Sequence, residues 1–240
     1  MKRVSFFSSA SFVVALLAGG GAAGSPVAAQ LVGYSPAASP YRDLPYKQEL
    51  SAFAGYMWGG TGRIGVAPGN APLVGLRYEL RIGGPATLIL KYTYAPTDRR
   101  VLDPTEPPAT RDRGTQSAPT TFVDVGIGVH LTGQRTWHHL TPVVALGAGV
   151  ATDRGKQADK GGFTVGTPFA FNVGGGIRYA PGGSYALRVD ITDNVYKINY
   201  PASYKSPPGG GAAILPLEAG TGQWLNHKLL TVGVSRLFGR

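Results

Sequence analysis

One segment determines the architecture of this chain: Val74-Gly75-Leu76-Arg77-Tyr78-Glu79-Leu80-Arg81-Ile82. Its residues alternate between an apolar set and a set of glycine and charged residues. Because successive side chains of a β-strand point to opposite faces, the segment predicts a strand with one apolar and one charged face. A soluble sandwich would turn the charges to water, whereas a membrane barrel would turn them into its lumen. The remaining sequence has to distinguish these two environments.

The N-terminal residues have the features of an export signal. Lys2 and Arg3 precede an apolar stretch that is too short to cross a bilayer as a helix, and small residues end at Ala29. We expect residues 1–29 to be a signal peptide cleaved after Ala29, with an uncleaved anchor as the alternative. Residues 30–47 are expected to form an extended lead-in, and residues 48–238 the folded domain.

The composition excludes several classes of protein. The 240 residues include 36 glycines and 19 prolines, and no apolar run after the signal could span a membrane as a helix. The absence of cysteine excludes a lipoprotein anchor and a disulfide framework. The formal net charge of +10 is spread along the chain without the basic, aromatic-interleaved run of a nucleic-acid binder, so we expect no nucleic-acid partner.

Eight segments alternate with the period of two that β-strands require. They are residues 49–58, 74–82, 88–95, 123–131, 140–150, 169–179, 185–192 and 230–238, with Asp193 expected to end the seventh strand or bulge it. The connections are alternately long and short, and residues 96–119 are expected to be a long exposed loop without periodicity. All short turns and both domain ends therefore lie on one side, which predicts an all-β fold, an eight-stranded antiparallel up-and-down transmembrane β-barrel.

Aromatic residues lie near the strand ends, as the interfacial girdles of a membrane barrel require, although aromatics also cap strands in other sheets. Those expected near the long loops are Tyr56, Trp58, Tyr92, Tyr94, Phe169, Tyr196 and Trp224, and those near the short turns are Trp137, Tyr179, Tyr185 and Phe238.

The closing strand carries the most specific resemblance to a known family. Leu230, Val232 and Val234 alternate up to Phe238, and the chain resembles small bacterial outer-membrane β-barrels of the OmpA and OmpX type over residues 48–238. In that family a terminal Phe is read by the barrel-assembly machinery, although Arg236 departs from the usual apolar pattern. The resemblance implies a monomer in the outer membrane, with the assembly machinery and outer-membrane lipid, including lipopolysaccharide, as partners.

Charged residues on the inward faces are the principal candidate site. Eight strands enclose only enough room for side chains, so buried charges must pair. We expect a polar network that fills the lumen, with a narrow gated pore as the alternative. Its members are Arg77, Glu79, Arg81, Lys91, Asp124, Arg178, Arg188 and Asp190.

Catalysis is not indicated, because no nucleophile, base and orienting acid share one membrane depth. The lipid A deacylases of this shape have a serine two residues after a histidine, whereas Thr132 follows His130 here. His130 and His139 share inward parity but have no third metal ligand. We therefore expect no cofactor and no metal.

A second candidate site is a basic loop. Arg99, Arg100, Arg111 and Arg113 could bind anionic groups, although neighbouring acids nearly neutralise them. Three functions remain: a non-enzymatic outer-membrane barrel with a structural or surface-interaction role, which we favour, a lipid-modifying barrel enzyme, and a soluble exported ligand-binding barrel.

Overall fold

A computed structural model of the chain describes residues 39–153 and 162–239. The predicted signal peptide and its cleavage site after Ala29 lie outside these residues. The strands are β1 (Tyr41–Asp43), β2 (Gln48–Gly59), β3 (Ala71–Gly83), β4 (Ala86–Ala95), β5 (Asp98–Leu102), β6 (Asp112–Ser117), β7 (Thr120–His130), β8 (Arg135–Trp137), β9 (Leu140–Asp153), β10 (Phe169–Gly182), β11 (Tyr185–Asn199) and β12 (Gly222–Phe238). Among the described residues no helix is long and apolar enough to span a membrane.

Eight of these strands close into an antiparallel barrel. Going round it, β2, β3, β4, β7, β9, β10, β11 and β12 are neighbours, and β12 pairs back with β2 from Phe238↔Gln48 to His227↔Gly59. Closure leaves no free strand edge, which is a condition for a sheet in hydrocarbon. The predicted fold class is therefore confirmed.

The polarity of the two faces of the barrel wall is the reverse of that in a soluble protein: the outer face is apolar and the inner face carries the charges. In β3, Leu76 is 54% exposed on the outside, whereas Arg77 is only 6% exposed and points into the lumen. The other barrel strands repeat the pattern, with large apolar side chains outside and most ionisable strand residues inside. Such an apolar outer surface fits lipid and not water, so the barrel is transmembrane.

The connections alternate in length as predicted. Long segments join the strands at one end, at residues 60–70, 96–119, 154–168 and 200–221, and short ones at the other, at residues 84–85, 131–139 and 183–184. We call these the long-loop end and the short-turn end. Both termini of the barrel, Gln48 and Phe238, lie at the short-turn end.

The predicted long loop contains a hairpin that the sequence did not reveal. β5 and β6 pair between Asp98↔Ser117 and Leu102↔Asp112 as a separate two-stranded sheet. The sequence predicted only a long exposed loop without periodicity, because β6 is exposed on both faces and lacks the apolar alternation by which strands are recognised.

The lead-in also contains more structure than expected. Residues 41–43 pair with β8, and Leu44 packs with Tyr46, Ala180, Ala186 and Leu237 in a small apolar cluster at the short-turn end. Main-chain hydrogen bonds from Leu44 N to Gln134 O (2.9 Å) and from Lys47 N to Gly239 O (2.6 Å) fasten this segment at both ends.

Two predictions about β11 were wrong. The strand does not end or bulge at Asp193, because its register with β12 continues without a shift to Asn199↔Gly222. Tyr196 is not part of an outer aromatic girdle, since it is fully buried in the lumen and stacks on His227 with ring centroids 5.2 Å apart.

The loss of unfolding free energy when an outward residue is replaced by arginine should depend on its depth in the membrane, and this tests whether the outer face contacts lipid. We expect Leu76→Arg to lower the free energy of unfolding by about 2–4 kcal/mol, because Leu76 lies within the outward apolar band, and Ile82→Arg by about 1 kcal/mol or less, because Ile82 lies next to the β3–β4 turn. Urea titration in lipid vesicles measures both. Equal costs would contradict the assignment, since both side chains are similarly exposed, at 54% and 57%.

Candidate functional site

The lumen is divided into two layers along the barrel axis. The half toward the short turns holds the charged layer, which we define as Glu49, Arg77, Glu79, Lys91, Asp124, Arg178, Arg188 and Asp190. The half toward the long loops holds the apolar plug, built on Met57, Leu73, Phe122, Tyr196, Leu225 and Leu229. The expectation of a wholly polar lumen was therefore wrong for the second half.

Arg188 is the hub of the charged layer. Its Nη1 donates to Oε1 of Glu49 at 2.8 Å and to Oε1 of Glu79 at 2.7 Å. Its Nε and Nη2 both reach the carboxylate of Asp190, each at 3.1 Å. One guanidinium thus makes four hydrogen bonds to three carboxylates from three strands, whereas a lysine ammonium has three donors.

Two further arginines complete this part of the network. Arg77 Nε lies 2.6 Å from Oε1 of Glu79, and Arg178 Nη1 forms a short hydrogen bond with Oε2 of Glu49. Arg178 Nη2 also lies 3.2 Å from Nδ1 of His130. Glu49 and Glu79 are therefore each shared by two arginines, and the network extends across the lumen from β2 and β3 to β10 and β11.

The pair of Lys91 and Asp124 is looser. Lys91 Nζ lies 3.9 Å from Oδ2 of Asp124, and both oxygens of this buried carboxylate lack a hydrogen-bond partner in the protein. A cavity of about 20 Å³ lies beside the pair, with Asn172 and Asp190 among its lining residues. A polar cavity of this size is expected to hold water that satisfies these groups.

Glu49 is a member of the layer that sequence reasoning missed. It is 3% exposed and shares the inward parity of Ser51, whose Oγ lies 2.8 Å from Oγ of Ser235. The sequence did contain an indication of this role, since Glu49 is the acidic residue on the inner face of the first strand. It was obscured because Phe53 and Met57 occupy the same face and make that strand the least regular.

Arg81 was predicted in the network but lies at its edge. Its side chain is partly exposed at the short-turn end, and Nη1 donates to the main-chain oxygen of Leu44 at 3.0 Å. With Glu49 included and Arg81 excluded, the charged layer contains four basic and four acidic residues. This balance matters because a buried charge without a counter-charge is strongly destabilising.

The apolar plug continues into the long loops. Phe163, Tyr200 and Tyr204 form a cluster of three mutually contacting rings, with centroid distances of 5.9 Å (Phe163–Tyr200), 6.2 Å (Phe163–Tyr204) and 6.4 Å (Tyr200–Tyr204). Arg99 lies over the Phe163 ring, its Cζ 5.4 Å from the centroid. The loops therefore form an ordered cap that packs onto the barrel core.

The four arginines of the second long loop do not form one free cationic surface. Arg99 is 2% exposed, so its assignment to an exposed anion-binding site was wrong. Arg100 binds Asp112 through Nε and Nη2 at 2.9 and 2.6 Å, and this hydrogen bonding lowers the pKa of Asp112. Arg111 donates to the Ala212 oxygen.

Arg113, the fourth of these arginines, contacts two acids of its own loop. Its Nη2 lies 3.3 Å from Asp103 and 2.9 Å from Glu106. Pairing within the loop therefore explains why these arginines and acids occur together.

His130 and His139, which the sequence predicts on the same inward face, do not lie together. His130 belongs to the network, and its Nε2 lies 3.6 Å from Oε2 of Glu79. His139 instead lies in the turn before β9, with a positive φ of 65°, and its ring contacts Tyr179 edge-on. Within residues 39–153 and 162–239, no group of three acidic or histidine ligands is suitably placed for a metal ion.

Removal of one buried carboxylate tests the role of the charged layer. We expect Glu79→Gln to lower the free energy of unfolding by about 3 kcal/mol, because Arg77 and Arg188 lose a shared counter-charge in a buried site. Urea titration followed by tryptophan fluorescence measures it. The matched control is Asp112→Asn, which breaks an exposed pair and should have a much smaller effect. Similar effects of the two variants would contradict a stabilising role for the layer.

Similar barrels occur among solved structures of bacterial outer-membrane proteins. Neisserial surface protein A is 16% identical over 83% of this chain and 98% of that chain, with a TM-score of 0.45. The N-terminal β-barrel domain of Pseudomonas aeruginosa OprF is 14% identical over 80% and 98%, with a TM-score of 0.44. Pseudomonas aeruginosa OprG is 11% identical over 81% and 98%, with a TM-score of 0.44.

No protein-family model matches the sequence, and no curated protein matches it. The closed eight-stranded barrel itself confirms, at the level of the fold, the resemblance to small outer-membrane barrels that the sequence indicated.

Proposed function

We propose that this protein is a non-enzymatic barrel of the bacterial outer membrane that acts at the cell surface through its long loops. The observation that supports the proposal is that the lumen is blocked at two levels. The charged layer fills one half and the apolar plug the other, so the barrel wall and lumen serve as a rigid support. The part of the molecule left to meet other surfaces is the loop cap.

The order within the loops supports this role. β5 and β6 form a hairpin outside the barrel wall, and the exposed ion pair of Arg100 and Asp112 joins its two strands. The stack of Phe163, Tyr200 and Tyr204 fixes the cap to the plug, and burial raises the pKa of Tyr200, whose hydroxyl donates to Oε1 of Gln223 at 2.6 Å. A pre-organised surface loses less entropy on binding than a flexible one.

The orientation and biogenesis belong to the same proposal. The long-loop end faces the outside of the cell and the short-turn end faces the periplasm, as in other bacterial barrels. The signal peptide is removed after Ala29, the assembly machinery reads the closing strand up to Phe238, and the mature protein is a monomer among outer-membrane lipids such as lipopolysaccharide. Heat-modifiable migration on a denaturing gel and the need for detergent in extraction test the membrane location.

A narrow gated pore is the second candidate, favoured by the cavities in the charged layer. One is lined by Glu49, Glu79, His130 and Arg178 among others, and the other lies beside Lys91; each has a volume of about 20 Å³, room for about one water molecule. Exchange of ion-pair partners could connect such spaces. The apolar plug, however, would still block the path.

Conductance measurement separates the two candidates. We expect the wild-type protein in planar lipid bilayers to give no steady current, because the path through the lumen is interrupted at two levels. Phe122→Ala combined with Met57→Ala opens only the plug and should leave the bilayer insulating. Stable channels in the wild type would contradict the closed support and favour the gated pore.

Trimming of the hairpin tests the surface role. We expect that replacing residues 99–116 by a short Gly-Ser linker preserves the gel shift of the folded barrel but lowers adherence of cells that display it. The matched control replaces Gly183-Ser184 at the short-turn end by Asn-Gly and should leave adherence unchanged. Equal adherence of wild-type and trimmed protein would contradict a surface role for this loop.

A further inference from the structure

Among the described residues, most of the excess positive charge of the barrel lies at its short-turn end. The charged layer is neutral, and the four arginines of the second long loop face Asp98, Asp103, Glu106 and Asp112. In the described part of the chain, the rest of the long-loop half carries the bases Arg63, Lys197, Lys205 and Lys228 and the acids Asp153, Asp193 and Glu218. The short-turn end carries the bases Arg42, Lys47, Arg81, Arg135 and Arg236, with Asp43 as its acid among the described residues.

Most of these bases are free of acidic partners. Asp43 Oδ1 binds Arg135 Nε at 2.9 Å in an exposed ion pair. Within the described part of the chain, neither Lys47 nor Arg81 pairs with a carboxylate. The short-turn end is therefore strongly cationic around the lead-in.

Lys47 and Arg81 line one cleft. It has a volume of about 410 Å³ and lies between the lead-in, from Asp43 to Lys47, and the end of β3, with Gln134 on a third side. Hydrogen bonds fasten the two walls, from Arg81 N to Lys47 O at 2.8 Å and from Arg81 Nη1 to Leu44 O at 3.0 Å. The cleft thus has fixed walls, an ammonium and a guanidinium.

The outer edge of the cleft is apolar. Ile82 lines it, is 57% exposed, and follows Leu76 and Leu80 on the outward face of β3. Exposed aromatic rings at the same end, of Tyr41, Trp137 and Tyr185, are typical of the headgroup level of a membrane. A cationic interior that opens onto a lipid-facing strand fits an amphiphile and not a soluble anion.

We propose that this cleft binds the phosphate headgroup of an anionic phospholipid from the adjacent leaflet, with an acyl chain along Ile82 and the outer face of β3. Lys47 and Arg81 contact the phosphate, and Gln134 supplies a further hydrogen-bond donor. The inference rests on the proposed function only in that the barrel lies in a membrane with its short-turn end at that leaflet. Bound lipid would hold the lead-in against the barrel.

Native mass spectrometry of the full chain folded in detergent tests the site. The probes are phosphatidylglycerol and phosphatidylcholine with identical acyl chains, and soluble glycerol phosphate as competitor. We expect preferential retention of phosphatidylglycerol, reduced about fivefold by Lys47→Gln because one cation near the phosphate is lost. Ile82→Ser should also reduce retention without a change in charge, and glycerol phosphate should not displace the lipid.

The matched control is Lys228→Gln, which removes an exposed lysine from the opposite end and should leave retention unchanged. Retention that is unaffected by Lys47→Gln and Ile82→Ser, or lowered as much by Lys228→Gln, would overturn the proposal. Displacement by glycerol phosphate would show a soluble-anion site instead. Loss of the heat-dependent gel shift in the wild type would refute the barrel itself, whereas a normal shift without lipid preference refutes only this site.

Discussion

The pairing of β12 with β2 is the constraint on which the rest of the structure depends. In hydrocarbon an unpaired main-chain N–H or C=O has no water to bind, so a sheet is tolerated only when its first and last strands join. The register from Phe238↔Gln48 to His227↔Gly59 provides that closure. Closure with eight strands then encloses a lumen just wide enough for side chains, and every inward residue must pack or pair.

The two layers of the lumen are different solutions to this packing problem. In the charged layer, long side chains from opposite walls meet, and Gly176 leaves room for them, since a Cβ at that position would lie 2.3 Å from Oδ1 of Asp190. Nearer the plug, the Phe53 ring covers Gly75, where a Cβ would lie 2.3 Å from the ring. Large and small residues therefore face each other across neighbouring strands, as a filled barrel requires.

Strand number, sidedness and the alternation of loops were predictable because lipid imposes a strict period of two on every strand. The predictions from sequence were wrong for residues that do not contact lipid. Beyond the membrane, β6 needs no apolar face, and Tyr196 faces the lumen where the plug replaces polar filling. The partners of individual charges were not predictable either. The alternation of the strands predicts that both Arg81 and Arg188 point into the lumen. Only the closed barrel shows that Arg81 lies at its short-turn end and Arg188 in the centre of the charged layer.

Site-directed spin labelling measures the sidedness of the wall most directly, because the chain has no cysteine and each introduced one is unique. Nitroxides at Leu76→Cys and Val232→Cys report the outer face, and those at Thr231→Cys and Ser235→Cys report the lumen. In lipid vesicles the outer labels should relax with oxygen, which partitions into hydrocarbon, and not with a water-soluble nickel complex, whereas the inner labels should be immobile and inaccessible to both. Outer labels that relax with the nickel complex would contradict a barrel with its apolar face in lipid.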